Sequence, residues 1–197
     1  MKRYLRPALV LAAMLAIGAV CSGSYLRAIE PLCARLIDSI AKAEHWQAAV
    51  SVDRGVRGTT LRLASIVRHA GKSAVVIATV TAGAVMQIVV TFWGVLLATR
   101  CASWRARIAT TAAGIPICIS LTVIAATGQL LAPSYGALAV LQGRADTATS
   151  WDYASDFLEA GGRTALSIAA ALIVAAMAAS SSAATRSTLM RRTPLGS

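Results

Sequence analysis

Long apolar runs without any charged side chain alternate with shorter charged segments along this chain. Four of these runs contain no Asp, Glu, Lys, Arg or His over at least 20 residues. A helix needs about 20 apolar residues to cross the hydrocarbon core of a bilayer. The pattern therefore predicts four transmembrane helices. They cover about 7–26, 74–99, 108–132 and 164–185.

The segment 27–73, between the first two predicted spans, is amphipathic rather than uniformly apolar. Apolar side chains recur there at steps of three and four, which is the pattern of a helix with one apolar face. In its first half they include Ile29, Leu32, Leu36, Ile40 and Trp46. Two glycines and Asp53 interrupt the pattern between 51 and 58, and a second apolar set follows over 59–70. We therefore predict an extramembrane helical hairpin over 27–73.

Together these elements predict an all-α integral membrane protein, a four-helix bundle with an extramembrane amphipathic helical hairpin between the first and second spans. The loop 133–163 on the same side should contain a short interfacial helix, because Trp151, Phe157 and Leu158 share one helical face. The tail 186–197 carries three arginines among serines and threonines and is expected to be mobile.

Composition supports a membrane location and argues against nucleic-acid binding. Apolar residues make up 57% of the chain and charged residues 14%, whereas soluble domains have about 45–50% and about 25%. The net charge of +11 comes from basic residues spread over every loop and both termini, where they contact anionic lipid and set orientation. Aromatic residues are only 5% of the chain, so platforms for base stacking are scarce. The expected contact is membrane lipid, not nucleic acid.

The distribution of basic residues predicts the orientation. Three Lys or Arg side chains occur in each of three segments that contain no acid. These segments are 1–6, 100–107 and 186–197. Short basic segments tend to stay in the cytoplasm, so we predict a bacterial inner-membrane protein with both termini cytoplasmic. Arg62, Arg68 and Lys72 lie near the second predicted span on the opposite side and weaken this bias. The basic start also resembles a signal peptide, but the first run is long enough for an uncleaved span.

The sequence offers no catalytic, metal-binding or cofactor-binding group. No Asp, Glu, Lys, Arg or His side chain falls inside a predicted span, which lowers the expectation of proton or ion coupling. The four cysteines form no CxxC pair, and His45 and His69 stand apart from them. No nucleophile has a neighbouring base, and no glycine-rich phosphate loop follows a predicted strand. We therefore expect a non-enzymatic protein without a cofactor.

Two functions from different classes fit this pattern. The first is protein–protein binding, as a subunit or accessory of a larger membrane assembly for secretion, conjugation or transport, or as an immunity or exclusion factor. Candidate contact residues lie on the apolar stripe of the predicted hairpin and on a row of alanines that allows close approach of helices. They are Leu32, Leu36, Ile40, Trp46, Ala171, Ala175 and Ala179. The partners would be other membrane protein subunits, and a homo-oligomer is compatible with the same rows.

The alternative is a small pore or transporter. Its predicted lining consists of Gln87, Thr91, Ser120 and Thr122, with a kink at Pro116, since proline removes a backbone donor from the helix. Gln87 lies near the middle of a predicted span, where a polar side chain usually bonds to a neighbouring helix. We therefore expect a structural hydrogen bond at Gln87 and rank binding above conduction.

Overall fold

The computed structural model describes the backbone of residues 2–55, 58–99, 101, 103–144 and 148–191. Side chains are described within residues 12–180 apart from 14, 15, 17 and 19 and the gaps in those ranges. The elements in chain order are α1 (Lys2–Ala43), β1 (Gln47–Gly55), β2 (Gly58–His69), β3 (Lys72–Thr81), α2 (Ala82–Ala98), α3 (Trp104–Leu141), α4 (Ser150–Phe157), a π-helical turn (Leu158–Gly162) and α5 (Arg163–Arg191). The fold is therefore α+β, and the predicted all-α class is wrong.

The three strands form one antiparallel sheet in the order β1-β2-β3. The register is continuous, from Gln47 opposite Ile66 in the first pair to His69 opposite Lys72 in the second. Successive side chains of a strand point to opposite faces of the sheet. One face is buried, and its most enclosed side chains are Leu61, Leu63, Ser65, Val67, Ala78 and Val80.

The predicted helical hairpin over 27–73 is wrong. Helix α1 continues as far as Ala43, and the rest of the segment is strand and turn. The strand period of two was hidden in the sequence, because the inward position 65 is a serine and the outward position 66 is an isoleucine. Ser65 is tolerated inside because its hydroxyl lies 2.8 Å from that of Ser134 on α3. A buried pair of hydroxyls thus satisfies a position where periodicity expects an apolar side chain.

The second predicted span, 74–99, is also wrong in its first third. Residues up to Thr81 belong to β3, and α2 begins at Ala82. The N-cap is Thr81, whose Oγ1 accepts a hydrogen bond from the Ala84 amide at 3.3 Å. The stretch before it is rich in β-branched residues, which favour strands. An apolar run by itself does not separate a buried strand from a buried helix.

Two layers of packing divide the molecule along its length. In the helical layer, α2, the first half of α3 and α5 enclose Phe92, Leu96, Cys118, Ala171 and Val174. In the sheet layer, α1 and the second half of α3 cover the inward face of the sheet. Their buried side chains there include Leu26, Ile29, Cys33 and Ile37 of α1 with Val123, Ala126, Leu130 and Leu131 of α3. Helix α3 therefore belongs to both layers.

Close helix contact in the helical layer depends on small residues. A Cβ added to Gly114 on α3 would lie 2.9 Å from Leu96 Cδ2 and 3.3 Å from Phe92 Cε1 on α2. Real Cβ atoms do not approach side chains this closely, so glycine sets the distance between these two helices. The two helices are joined by the short segment after Thr99, where Ser103 caps α3 through its side chain.

Two helical segments of the described chain are long and apolar enough to cross a membrane. They are α3 and the segment Ser150–Ser180, which contains α4, the π-helical turn and most of described α5. Helix α2 is apolar but has only 17 residues. The predicted four-helix bundle of four spans is therefore wrong. The first predicted span, 7–26, lies within α1, and nine of its 20 side chains lie outside the described residues.

Three further predicted segments are placed as follows. The third predicted span, 108–132, lies inside α3, but its last third packs against the sheet. The loop 133–163 contains the short helix α4, held by a capping box between Thr149 and Asp152. In the predicted tail 186–197, the residues up to Arg191 belong to α5, and the rest lie outside the described residues.

Removal of one hydroxyl from the Ser65–Ser134 pair should destabilise the sheet layer. Ser65→Ala leaves the buried Ser134 hydroxyl without its partner on the sheet, at a cost of about 1–3 kcal/mol. The double variant Ser65→Ala/Ser134→Ala removes both groups and should recover part of that loss. Urea unfolding of the detergent-solubilised protein, followed by circular dichroism, measures both effects. Ser39→Ala, which removes an exposed hydroxyl, serves as the control, and strictly additive single effects would contradict the coupling.

Candidate functional site

The two faces of the sheet differ in burial. The inward face packs on α1 and α3, whereas no described element packs on the outward face around Val75 and Ile77, which are 73% and 56% exposed. In the register, Val75 lies beside Ile66 and Ile77 lies beside Ala64. We call the outward side chains of β1, β2 and β3 the open face. Its centre is an apolar patch on a surface where strands usually present polar residues to water.

Basic side chains flank this patch along β2. Arg62 lies one outward position below Ala64, towards the helical layer, and Arg68 lies one outward position above Ile66. Among the residues that the structure describes, the ion pair is the exposed Lys42–Asp38 contact on α1, at 2.7 Å. Neither arginine therefore has a carboxylate within ion-pair distance in the described part of the chain. Asp53 is the acidic residue of the open face, at the end of β1.

Strand β3 adds an open edge to this face. It has a hydrogen-bonded neighbour, β2, on one side only. From Ser73 to Thr81 it carries no charge and no proline. Edge strands of soluble proteins are usually protected by such residues or by bulges. The edge and the patch around Val75 together form a continuous surface suited to a protein partner.

The predicted contact residues on the first amphipathic stretch divide between core and surface. Leu32 and Leu36 are 42% and 38% exposed, on the side of α1 that faces away from the sheet. Ile40 packs against the core of the sheet layer, and Trp46 is buried with its ring 4.8 Å from that of Tyr135. The predicted set is therefore not one surface.

The predicted alanine row on α5 divides in the same way. Ala171 is fully buried among Phe92 and Leu96, and Ala175 packs at the edge of the same cluster. Ala179 is exposed. The row thus contributes mostly to contacts between helices of this chain.

The residues of the predicted pore are placed apart, and two of them are hydrogen-bonded. The Gln87 amide donates to Thr164 Oγ1 at 2.9 Å, between α2 and α5. Thr122 is buried, donates to the Cys118 carbonyl at 2.6 Å, and has the Tyr25 hydroxyl 2.8 Å away. Thr91 is half-buried, while Ser120 and Pro116 are exposed and the helix continues through the proline. The geometry shows an interhelical bond at Gln87 of the kind that the sequence suggested.

An aromatic cluster lies at the far end of the sheet layer. The ring of Tyr135 stacks on Trp151 at 5.3 Å between centroids and meets Trp46 edge-on. Burial, and secondarily the Glu44 carboxylate, raise the pKa of the Tyr135 hydroxyl. A cavity of about 520 Å³ opens beside this cluster. Its lining is Tyr135, Leu138, Ala139, Gln142, Arg144, Ala148 and Thr149.

Side chains that could hold a metal ion do not cluster. In the described part of the chain, no three His, Cys, Asp or Glu residues lie together in such a group. All four cysteines are free thiols, with Cys33 and Cys118 buried, Cys21 exposed and Cys101 half-buried.

The open face was missed in the sequence. Val75 and Ile77 were assigned to a transmembrane helix, and Arg62 and Arg68 were interpreted only as orientation signals. The signal that could have found them is the alternation of Leu61, Leu63 and Val67, followed after the Ala70-Gly71 turn by β-branched residues. No protein family, curated protein or solved structure matches the chain.

Thiol chemistry should distinguish Cys33 from Cys101. Cys33 is fully buried beneath the sheet, and burial raises the pKa of its thiol. Since the folded state holds this proton more tightly, the thiol favours folding below its ordinary pKa, and that contribution is lost as the pH rises through the raised value. At pH 8 in mild detergent, a maleimide should modify Cys101 at least about tenfold faster than Cys33. Peptide mapping by mass spectrometry measures both rates.

The same labelling after unfolding in urea is the control for Cys33. The two cysteines should then react at similar rates. Rapid modification of Cys33 in the folded protein would contradict its position between α1 and the sheet.

Proposed function

We propose that this chain is a non-catalytic membrane protein that holds its sheet layer at the bilayer surface and acts there by binding another protein. In this proposal it is a subunit or accessory of a larger membrane assembly. The observation that carries the membrane part is how little of the apolar helical surface is covered. In the most apolar 18-residue stretch of α3, only 33% is buried within the protein. In the corresponding stretch of the segment Ser150–Ser180, only 22% is buried.

The exposed side chains of α5 support this location. Leu172, Ile173 and Met177 are 51%, 58% and 62% exposed. An apolar core helix of a water-soluble protein would bury such residues, because each costs about 1.5–3 kcal/mol when left in water. Surrounding hydrocarbon removes that cost.

The sheet restricts where the bilayer can lie along the molecule. Helix α3 has 38 residues, about 57 Å at 1.5 Å per residue, which is nearly twice the thickness of the hydrocarbon core. An open sheet edge such as that of β3 is not stable in hydrocarbon, where its backbone groups find no partner. The bilayer therefore surrounds the helical layer and the first half of α3, and the sheet layer stands in water.

The basic turn between α2 and α3 lies at the opposite end of the helical layer. The Arg107 guanidinium donates to the carbonyls of Leu96, Leu97 and Thr99 at 3.1–3.3 Å. A cation at this position satisfies the free carbonyls and the negative dipole end of α2. Basic short loops favour the cytoplasm. We therefore place this turn on the cytoplasmic side of a bacterial inner membrane and the sheet layer on the opposite side. The cytoplasmic location of both termini stays a prediction.

We favour protein binding over conduction because polar side chains of the predicted pore are hydrogen-bonded within the protein. Gln87 and Thr122, two of the four residues of the predicted pore, are hydrogen-bonded within the protein. The open face, in contrast, has an apolar patch and an unpaired strand edge. The small pore lined by Gln87, Thr91, Ser120 and Thr122 remains the alternative.

A matched pair of substitutions tests the membrane location. Ile173 on α5 and Val140 on α3 are 58% and 59% exposed, but only Ile173 lies in the helical layer. Ile173→Asp should cost about 2.5–3.5 kcal/mol of insertion free energy, whereas Val140→Asp, in water, should cost little. The fraction of protein that resists carbonate extraction measures the difference. Equal behaviour of the two variants, or extraction of the unchanged protein, would refute the bilayer position.

A second matched pair tests the binding site. After crosslinking in native membranes and purification in mild detergent, we expect another membrane protein in constant ratio to this chain. Ile77→Asp on the open face should reduce that ratio about tenfold, since a buried charge in an interface costs more than about 1.4 kcal/mol. Leu32→Asp, at a comparably exposed position on α1, should not reduce it.

Ion conductance of liposomes that contain the purified protein tests the alternative function, a pore. A homo-oligomer that conducts ions, and whose conductance depends on Gln87 and Thr91, would favour the pore. An Ile77-independent complex would exclude the open face as the contact surface.

A further inference from the structure

Along β2, the open face has an apolar centre with a basic side chain on either side of it, and this arrangement restricts the partner that it can bind. Its apolar centre occupies two rows, Ile66 with Val75 and Ala64 with Ile77. Arg62 lies one row before this centre and Arg68 one row after it. The two arginines are six positions apart along the strand, which is about 20 Å. Neither arginine has an ion-pair partner in the described chain.

A second copy of this chain does not complement this order. Two copies held in one bilayer are related by a two-fold axis along the membrane normal. When their apolar centres face each other about such an axis, Arg62 of one copy lies at the same height as Arg62 of the other, and Arg68 likewise. Like charges that face each other across an interface oppose association.

A lipid surface does not fit the orientation of the face. Helix α3 passes without a break from the helical layer into the sheet layer, and β3 leads directly into α2 at Thr81. The strands therefore rise from the bilayer instead of lying on it. Lipid headgroups reach the lower end of the open face, not both arginines.

We infer that the open face binds an amphipathic helix of a partner protein, with an apolar stripe that ends in carboxylates at both ends. This inference rests on the proposed function and names the partner of its binding site. The inward face of the sheet is already covered by the helices α1 and α3, and sheets commonly pack helices on both faces. A helix covers about 20 Å in three to four turns. Carboxylates spaced by that distance pair with Arg62 and Arg68 while the stripe covers Val75 and Ile77.

Two probe peptides test the charge order. Both are 18-residue helices, roughly 27 Å long, with the same Leu/Ala stripe; one carries Glu at both ends of the stripe and the other Lys. The full chain is held in nanodiscs of uncharged phosphatidylcholine, which removes attraction of the peptides to lipid. The Glu peptide should bind at least about tenfold more tightly than the Lys peptide, and its affinity should fall with added salt. Fluorescence anisotropy measures both Kd values.

Charge reversal of the two arginines should exchange the preference. In R62E/R68E, the Glu peptide should lose about tenfold in affinity and the Lys peptide should gain a similar factor. R27E/R35E is the matched control, because it changes the net charge by the same amount at two exposed arginines of α1, on the covered side of the sheet. Ile77→Ser, which keeps every charge, should weaken binding of both peptides by removing apolar contact.

Several outcomes would overturn the inference. Equal affinity for the two peptides would show that charge does not select the partner, and an equal effect of R27E/R35E and R62E/R68E would show that only net charge matters. A photo-crosslinker at Ile77 in native membranes that captures a second copy or lipid would identify a different occupant. A complex that depends on Ile77 but shows no preference for the Glu peptide would overturn the inference and leave the proposed function intact.

Discussion

Backbone hydrogen bonding controls where each part of this molecule can reside. Helices satisfy their backbone groups internally, so α5 and the first half of α3 can be surrounded by hydrocarbon. The sheet cannot, because β3 has a neighbour on one side only. Helix α3 joins the helical layer to the sheet layer as one continuous element. Its second half is apolar for a different reason from its first half, since it covers the inward face of the sheet.

The boundary between the layers is held by polar contacts that join different helices. Tyr25 of α1 meets Thr122 of α3 at 2.8 Å, and Gln87 of α2 bonds to Thr164 of α5 at 2.9 Å. These bonds satisfy the polar groups close to the apolar layer, where an unpaired hydroxyl or amide would be costly. They hold helices to one another, α1 to α3 in the first case and α2 to α5 in the second.

Prediction from the sequence succeeded for individual long helices and failed for the segment between them. The uncharged run 164–185 lies within α5, and the interfacial helix that periodicity predicts corresponds to α4, which begins at Ser150. The strands were missed because an inward serine and an outward isoleucine on β2 imitate a helical pattern. Position 65 is explained only by Ser134, which is 69 residues away in sequence. Trp46, just past the end of α1, and Ala171, on α5, have the apolar character that marks a contact residue, but both are buried in the chain's own core.

The sequence alone determined that long uncharged apolar runs dominate the chain and that its basic residues lie in the segments between and beyond these runs. These properties depend on composition and local order, which need no partner from elsewhere in the chain. The tertiary structure decided which apolar residues face protein and which face the surroundings. Val75 and Val80 are both valines of β3, yet one is exposed and the other buried. Only the pairing of β2 with β3, and the helices laid on one side of that pair, separate them.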